Sequence, residues 1–173
     1  MKKHLICFPE WRQEKKTIFA LSDEHYQLVS NNFLPLNSLL ILLAFKESPS
    51  TVTADHFPEN IASPGPYRFL RFNHPISNRK VKKFLLEHLL YEPATLYETL
   101  NFFKGLPHPR PLAYDVIALG SRWHDHKNKT VRVPFIDHRW RLRLTFDEGN
   151  YTDQDVFLVR PHWVPETTEE APV

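Results

Sequence analysis

Thr130-Val131-Arg132-Val133-Pro134-Phe135-Ile136 and Trp140-Arg141-Leu142-Arg143-Leu144-Thr145-Phe146 are the two stretches on which the fold turns. In both, side-chain character changes at every second residue, the period of a β-strand rather than the 3.6 of a helix. In the second, Trp140, Leu142, Leu144 and Phe146 fall on one side, and Arg139, Arg141, Arg143 and Thr145 on the other. The first repeats the arrangement, with Val131, Val133 and Phe135 inward and Arg132 outward. The short, polar gap between them predicts an antiparallel hairpin.

Outward from that pair, residues 116–123 and 156–160 carry the same strand signature and are bounded by turn residues. With short connections, the four predict an antiparallel meander over residues 113–161. Upstream the pattern is mainly helical, from about 17 to 105. Residues 16–21 read as a short strand. Ser22 caps a helix whose first turn holds Asp23 and Glu24, where the helix dipole favours negative charge. A second, apolar helix spans 36–46, and residues 47–66, with four prolines among polar residues, form a loop with the composition of a flexible one. Residues 67–72 read as a strand. Asn78 opens a helix over 79–91, and Pro93 sits at the first turn of another over 94–104, with Gly105 as its stop. Residues 106–112 are a linker whose alternating prolines favour an extended polyproline conformation. The resulting expectation is an α+β fold, with an N-terminal helical half packed on one face of a C-terminal four-stranded antiparallel meander.

Length and composition agree with one domain over residues 1–163, followed by an acidic, disordered tail over 164–173. Of 173 residues, 42% are hydrophobic and 24% charged, an ordinary globular balance. Fifteen Pro stand against four Gly, too few glycines for a phosphate-cradling loop, and no GxGxxG, GxxxxGK[ST] or HExxH is present. No cofactor is expected. Cys7 is the single cysteine, which excludes an internal disulfide and a CxxC pair and points to a reducing compartment, the cytoplasm. The most apolar stretch, 34–45, falls short of the roughly 20 residues that a spanning helix needs. No membrane partner is expected.

Charge is unevenly placed. Residues 63–143 hold fifteen Lys/Arg against six Asp/Glu, whereas residues 144–173 hold one against seven. A stretch this basic raises a positive potential that attracts anions. Arg132, Arg139, Arg141 and Arg143, with Lys127 and Lys129 in the preceding turn, form the candidate nucleic-acid-binding set. Alternate strand residues stand about 6.6 Å apart, similar to the spacing of successive phosphates. Arg68, Arg71, Arg79, Lys80, Lys82 and Lys83 make a second basic cluster.

Three functions compete. The foremost is a non-catalytic protein whose basic sheet face meets nucleic acid or another polyanion. Equal to it is a protein–protein adaptor or structural subunit, for which an exposed sheet edge and a stiff proline segment are suited. The third is a metal-dependent hydrolase on His124 and His126, two ligands flanking one residue, completed by a carboxylate of the 147–155 loop such as Asp147.

Overall fold

Val156, Phe157, Leu158 and Val159 are four consecutive apolar residues, and each is 0% exposed. A strand with no polar alternation has to be covered on both faces, and this one also has neighbours on both edges. In the computed structural model, which describes residues 8, 10–14, 16–22, 33–60, 65–106 and 113–162, they form the core of β11 (Asp155–Pro161). One edge of β11 pairs antiparallel with β3 (Arg68–Phe72), Val156 opposite Arg71 and Val159 opposite Arg68. The other edge takes two strands end to end. β6 (Asp115–Ile117) runs parallel, with Phe157 opposite Ile117, and β5 (Tyr91–Pro93) runs antiparallel, with Val159 opposite Pro93.

From this centre the sheet grows outward. Beyond β3 lie β2 (Thr17–Leu21) and β1 (Arg12–Glu14), both antiparallel. On the far side β6 pairs with β8 (Thr130–Ile136), which also carries β7 (Trp123–Asp125) and β9 (Leu142–Phe146). Ile136 faces both Val116 and Leu142, and Arg132 faces both Trp123 and Phe146. β6 and β7 therefore share one edge of β8, and β9 holds the other. Among the described residues the result is a nine-stranded mixed sheet, with β4 (Ile76–Ser77) and β10 (Asn150–Tyr151) as a separate two-stranded ribbon.

Helices cover both faces. On one face α1 (Leu36–Leu43) and α3 (Leu96–Gly105) pack through Leu36, Leu39, Leu100 and Phe103 against Phe69, Val116, Val156 and Leu158. On the other, α2 (Asn78–Phe84) and the π-helical turn that continues it (Leu85–Leu89) pack through Val81, Phe84 and Leu85 against Phe72, Ile117 and Phe157. Among the described residues no helix is long and apolar enough to cross a membrane.

The α+β expectation holds, and its finer form does not. The C-terminal strands are not a four-stranded antiparallel meander, because β6, β7 and β9 pair antiparallel with β8, while β11 lies at the sheet centre, parallel to β6 and beside β3. Its unbroken apolar run is the physical reason. Nor is the N-terminal half a helical layer on one face, since the strands expected over 16–21 and 67–72, with β1 and β5, belong to the same sheet, and α2 covers the face opposite α1 and α3. The single strand expected over 116–123 is two, separated by a turn in which Ser121 N–H donates to Ala118 C=O (3.1 Å) and Gly120 N–H to Ala94 C=O (2.9 Å). The 47–66 loop has no regular element among its described residues. It is nonetheless anchored, with Val52 4% and Phe57 1% exposed. The helix expected after Ser22, the proline run 107–111, Cys7 and the acidic tail lie outside the described residues.

A polar node ties α3 to the sheet centre. Thr95 and Glu98 form a reciprocal capping box: Glu98 N–H donates to Thr95 Oγ1 (3.1 Å), and Thr95 N–H donates to Glu98 Oε2 (2.8 Å). The sheet supplies the rest. Tyr67 donates its hydroxyl to Glu98 Oε1 (3.0 Å). Arg160 Nε lies 3.0 Å from the same oxygen, an ion contact set off the hydrogen-bond axis, while its Nη1 donates to Glu92. Burial, and then Glu98, push the Tyr67 phenol far up, so it stays a donor.

Removing one partner from this node strands a charge that is 0% exposed. Arg160→Met is expected to cost about 3–5 kcal/mol in urea unfolding, with part of the loss returned by adding Glu98→Gln. Equal stabilities for the single and double variants would contradict this. A Cβ on Gly120 would lie 2.4 Å from Pro93 O, so Gly120→Ala is expected to cost about 1–3 kcal/mol in the same assay.

Candidate nucleic-acid interface

Register decides which arginines share a face. Residues directly opposite in an antiparallel ladder point the same way. Arg132 is opposite Phe146, Pro134 opposite Leu144 and Ile136 opposite Leu142, and this set faces the α1/α3 layer. Val133 opposite Thr145 and Phe135 opposite Arg143 face the α2 layer. Arg132 and Arg143 therefore lie on opposite faces, and the six cations do not make one continuous basic surface. Both sides of this hairpin are partly buried, where the alternation alone predicts one wet side.

Arg141 and Arg143 are neutralised from within. Arg141 Nε donates to Asp137 Oδ2 (2.7 Å), and Arg143 Nη2 donates to Glu47 Oε2 (2.8 Å). Asp137 is 3% exposed. Burial pushes its carboxyl up, but the Arg141 guanidinium and the N–H groups of Arg141 and Arg139 outweigh that and hold it below the usual carboxylate range. Glu47 arrives with the backbone of residues 46 and 47, which pairs with the outer edge of β9: Lys46 N–H donates to Trp140 C=O (3.1 Å), and Leu142 N–H donates to Glu47 C=O (2.9 Å). Arg139 is exposed on the turn after β8 and makes no ion pair among the described residues.

The opposite end of the hairpin differs. Arg132 places its guanidinium carbon 3.9 Å from the centre of the Phe146 ring, and Phe146 is 52% exposed. Lys127 and Lys129 are exposed in the β7–β8 turn at this same end. Asp125 organises that turn by accepting from Asn128 Nδ2 (2.7 Å) and from the N–H groups of Asn128 and Lys127 (both 3.2 Å). The Asn128 side chain, those N–H groups and the Arg132 charge keep the Asp125 carboxyl low. Beside Phe146 a shallow open groove of about 510 Å³ runs along the edge of β9, lined by Pro49, Arg132, Phe135, Arg143, Leu144 and Phe146. Pro49 has no N–H to extend the pairing made by residues 46 and 47, so the edge lies open from Leu144.

His124 and His126 are exposed on β7 and the turn after it. Asp147 is 7% exposed, and its carboxylate accepts from Arg122 Nη2. Among the described residues no group of three His, Cys, Asp or Glu side chains is arranged to hold a metal. In the second basic cluster, Arg68 Nε donates to Ser22 C=O (2.8 Å), and Arg71 donates to Asp153 C=O (3.0 Å) and the Tyr114 hydroxyl (3.2 Å).

Phe146 is the candidate site residue that the period-two pattern hides, because it falls on the apolar side of its strand. The available signal was its place beside Asp147, Glu148 and Gly149, where a strand leaves the core.

Lys82 is pushed down to about 8 by burial, aided by the Arg122 charge. A lysine lowered in the folded state leaves the unfolded chain holding more protons, so stability rises with pH between about 8 and the free-lysine value of about 10.4. Lys82→Met is therefore expected to stabilise the protein at pH 7, with the gain shrinking by pH 10. Urea midpoints at the two pH values measure this, and a gain that does not change with pH would refute it. No protein-family model, curated protein or solved structure matches this chain.

Proposed function

We propose that this chain is a non-catalytic binding protein whose β8–β9 edge takes an anionic partner, with nucleic acid foremost and in single-stranded form. The observation that carries the reading is the half-exposed Phe146 ring stacked under the Arg132 guanidinium at the mouth of a groove. Every unpaired base offers a π-face to such a platform, and nearby cations draw the phosphates, a combination that tolerates any sequence. A duplex keeps its bases stacked on one another and leaves Phe146 nothing to stack on. Lys127, Lys129 and Arg132 supply the charge at this end, and Arg141 and Arg143 contribute less because Asp137 and Glu47 already oppose them.

A second reading, a protein partner, is favoured by Ile41 and Leu42 on the outer side of α1, 79% and 57% exposed. Scattered apolar side chains are ordinary on a surface, which leaves this reading behind the first.

Fluorescence anisotropy of labelled single-stranded and duplex oligonucleotides across a salt series tests the proposal. Single strands are expected to bind more tightly, with a log–log salt slope of about −2 to −3 for three or four phosphates. Phe146→Ala is expected to weaken binding by about 5- to 150-fold, the range of one lost base stack. Arg141→Ala is expected to change it little. No binding at low salt, or binding indifferent to Phe146 and Arg132, would remove the proposal.

A further inference from the structure

A second cleft lies on the α2 face near the other end of the sheet. It has a volume of about 300 Å³, and its walls come from three places. Lys16 and Thr17 stand at the start of β2, His74 in the turn between β3 and β4, and Lys80, Lys83, Glu87 and His88 along α2 and its π turn, with Ile76 and Phe84 as the floor. Positions 80, 83, 84 and 87 share one helix face by their spacing. The wider π turn at Leu85–Leu89 brings His88 onto the same side, and such turns are rare and concentrate at functional sites. From β9 to β2 the sheet takes five strand steps, about 24 Å, so this cleft is separate from the Phe146 groove.

Three lysines line this cleft, with Glu87 as its one lining carboxylate. Glu87 lies 3.8 Å from Lys83, with side-chain exposures of 48% and 68%, a solvated pair that holds Lys83 weakly. Lys16 and Lys80 have no ion partner among the described residues. Both imidazoles are propped by rings, His74 against Phe72 (centroids 6.2 Å apart) and His88 against Phe84 (5.2 Å). His74 Nδ1 lies 2.9 Å from Asn73 Oδ1, and His88 Nδ1 lies 3.8 Å from Glu14 Oε1. Like charges gathered round a concave surface repel one another until an anion enters, and lysines, as flexible point charges, suit a compact phosphate.

We propose that this cleft binds a small phosphate monoester of about mononucleotide size, its phosphate held by Lys16, Lys80 and Lys83 and its organic part lying along His74 and His88. This site does not depend on the β8–β9 edge.

Calorimetry and amide chemical-shift titration of the full chain with adenosine 5′-monophosphate, adenosine and inorganic phosphate test it. Adenosine 5′-monophosphate is expected to bind one to one and to shift amides of residues 74–88, inorganic phosphate to bind there more weakly, and adenosine not to bind. Lys80→Ala with Lys83→Ala, both exposed, is expected to weaken binding at least tenfold, Glu87→Gln to strengthen it, and Phe146→Ala to leave it unchanged. The proposal is overturned if adenosine binds as well as its monophosphate, or if the lysine changes have no effect. It is equally overturned if those changes weaken only oligonucleotide binding, which would make the lysines an extension of a polyanion surface.

Discussion

Four adjacent apolar residues in β11 impose the rest of the architecture. Alternating strands can leave one face to water, but Val156, Phe157, Leu158 and Val159 cannot. Burying Val156 and Leu158 calls for α1 and α3, and burying Phe157 and Val159 calls for α2 and the π turn. Both strand edges need partners as well, and the neighbours come from residues 68–72 on one side and from 91–93 and 115–117 on the other. Arg160 follows directly, so the strand ends in a buried guanidinium for which the fold must find carboxylates. Glu98 is available because it already serves as the capping residue of α3. A single side chain thus settles a helix terminus and a buried cation together.

The same economy governs the basic stretch. A sequence with fifteen cations between residues 63 and 143 suggests a broad positive face. Folding divides it. Asp137 and Glu47 bind Arg141 and Arg143, Asp147 binds Arg122, and carbonyl groups take Arg68 and Arg71. Among the described residues, cations that make no ion pair persist near the ends of elements, among them Arg132, Lys127 and Lys129 on one side and Lys16 and Lys80 on another. Such residual charge is more informative about binding than total charge, because matched pairs add little to the field at a distance.

Much of this was legible where the signal is local. Strand 130–136 is found residue for residue, and β2 and β3 nearly so, because period-two alternation and flanking turn residues lie within the segment itself. The Thr95-x-x-Glu98 spacing of the capping box was equally present in the sequence, yet Pro93 attracted the helix start and belongs instead to β5. Helix 36–46 stops at Leu43 because Ala44 takes a left-handed conformation (φ 43°), which an apolar pattern does not reveal. What no local pattern carries is pairing. Glu47 and Arg143 are 96 residues apart, and β3 meets β11 across 85 positions between Arg71 and Val156.

Register is also where a candidate site residue became hidden. Alternation marks Phe146 as apolar side and therefore buried, but a face is buried only as far as the opposing layer extends. The α1/α3 layer covers Leu142 (1% exposed), and Leu144 still packs against it; two residues further on Phe146 is 52% exposed. The ladder then sets Arg132 opposite it, supplying a cation at the point where cover ends. An exposed aromatic ring costs free energy in water, and partial cover by a guanidinium reduces that cost while Phe146 stays 52% exposed. The arrangement follows from where the helices stop rather than from the strand's own pattern. Strand ends beyond the reach of a covering helix are therefore the places in such a fold where apolar alternation should be read as candidate surface.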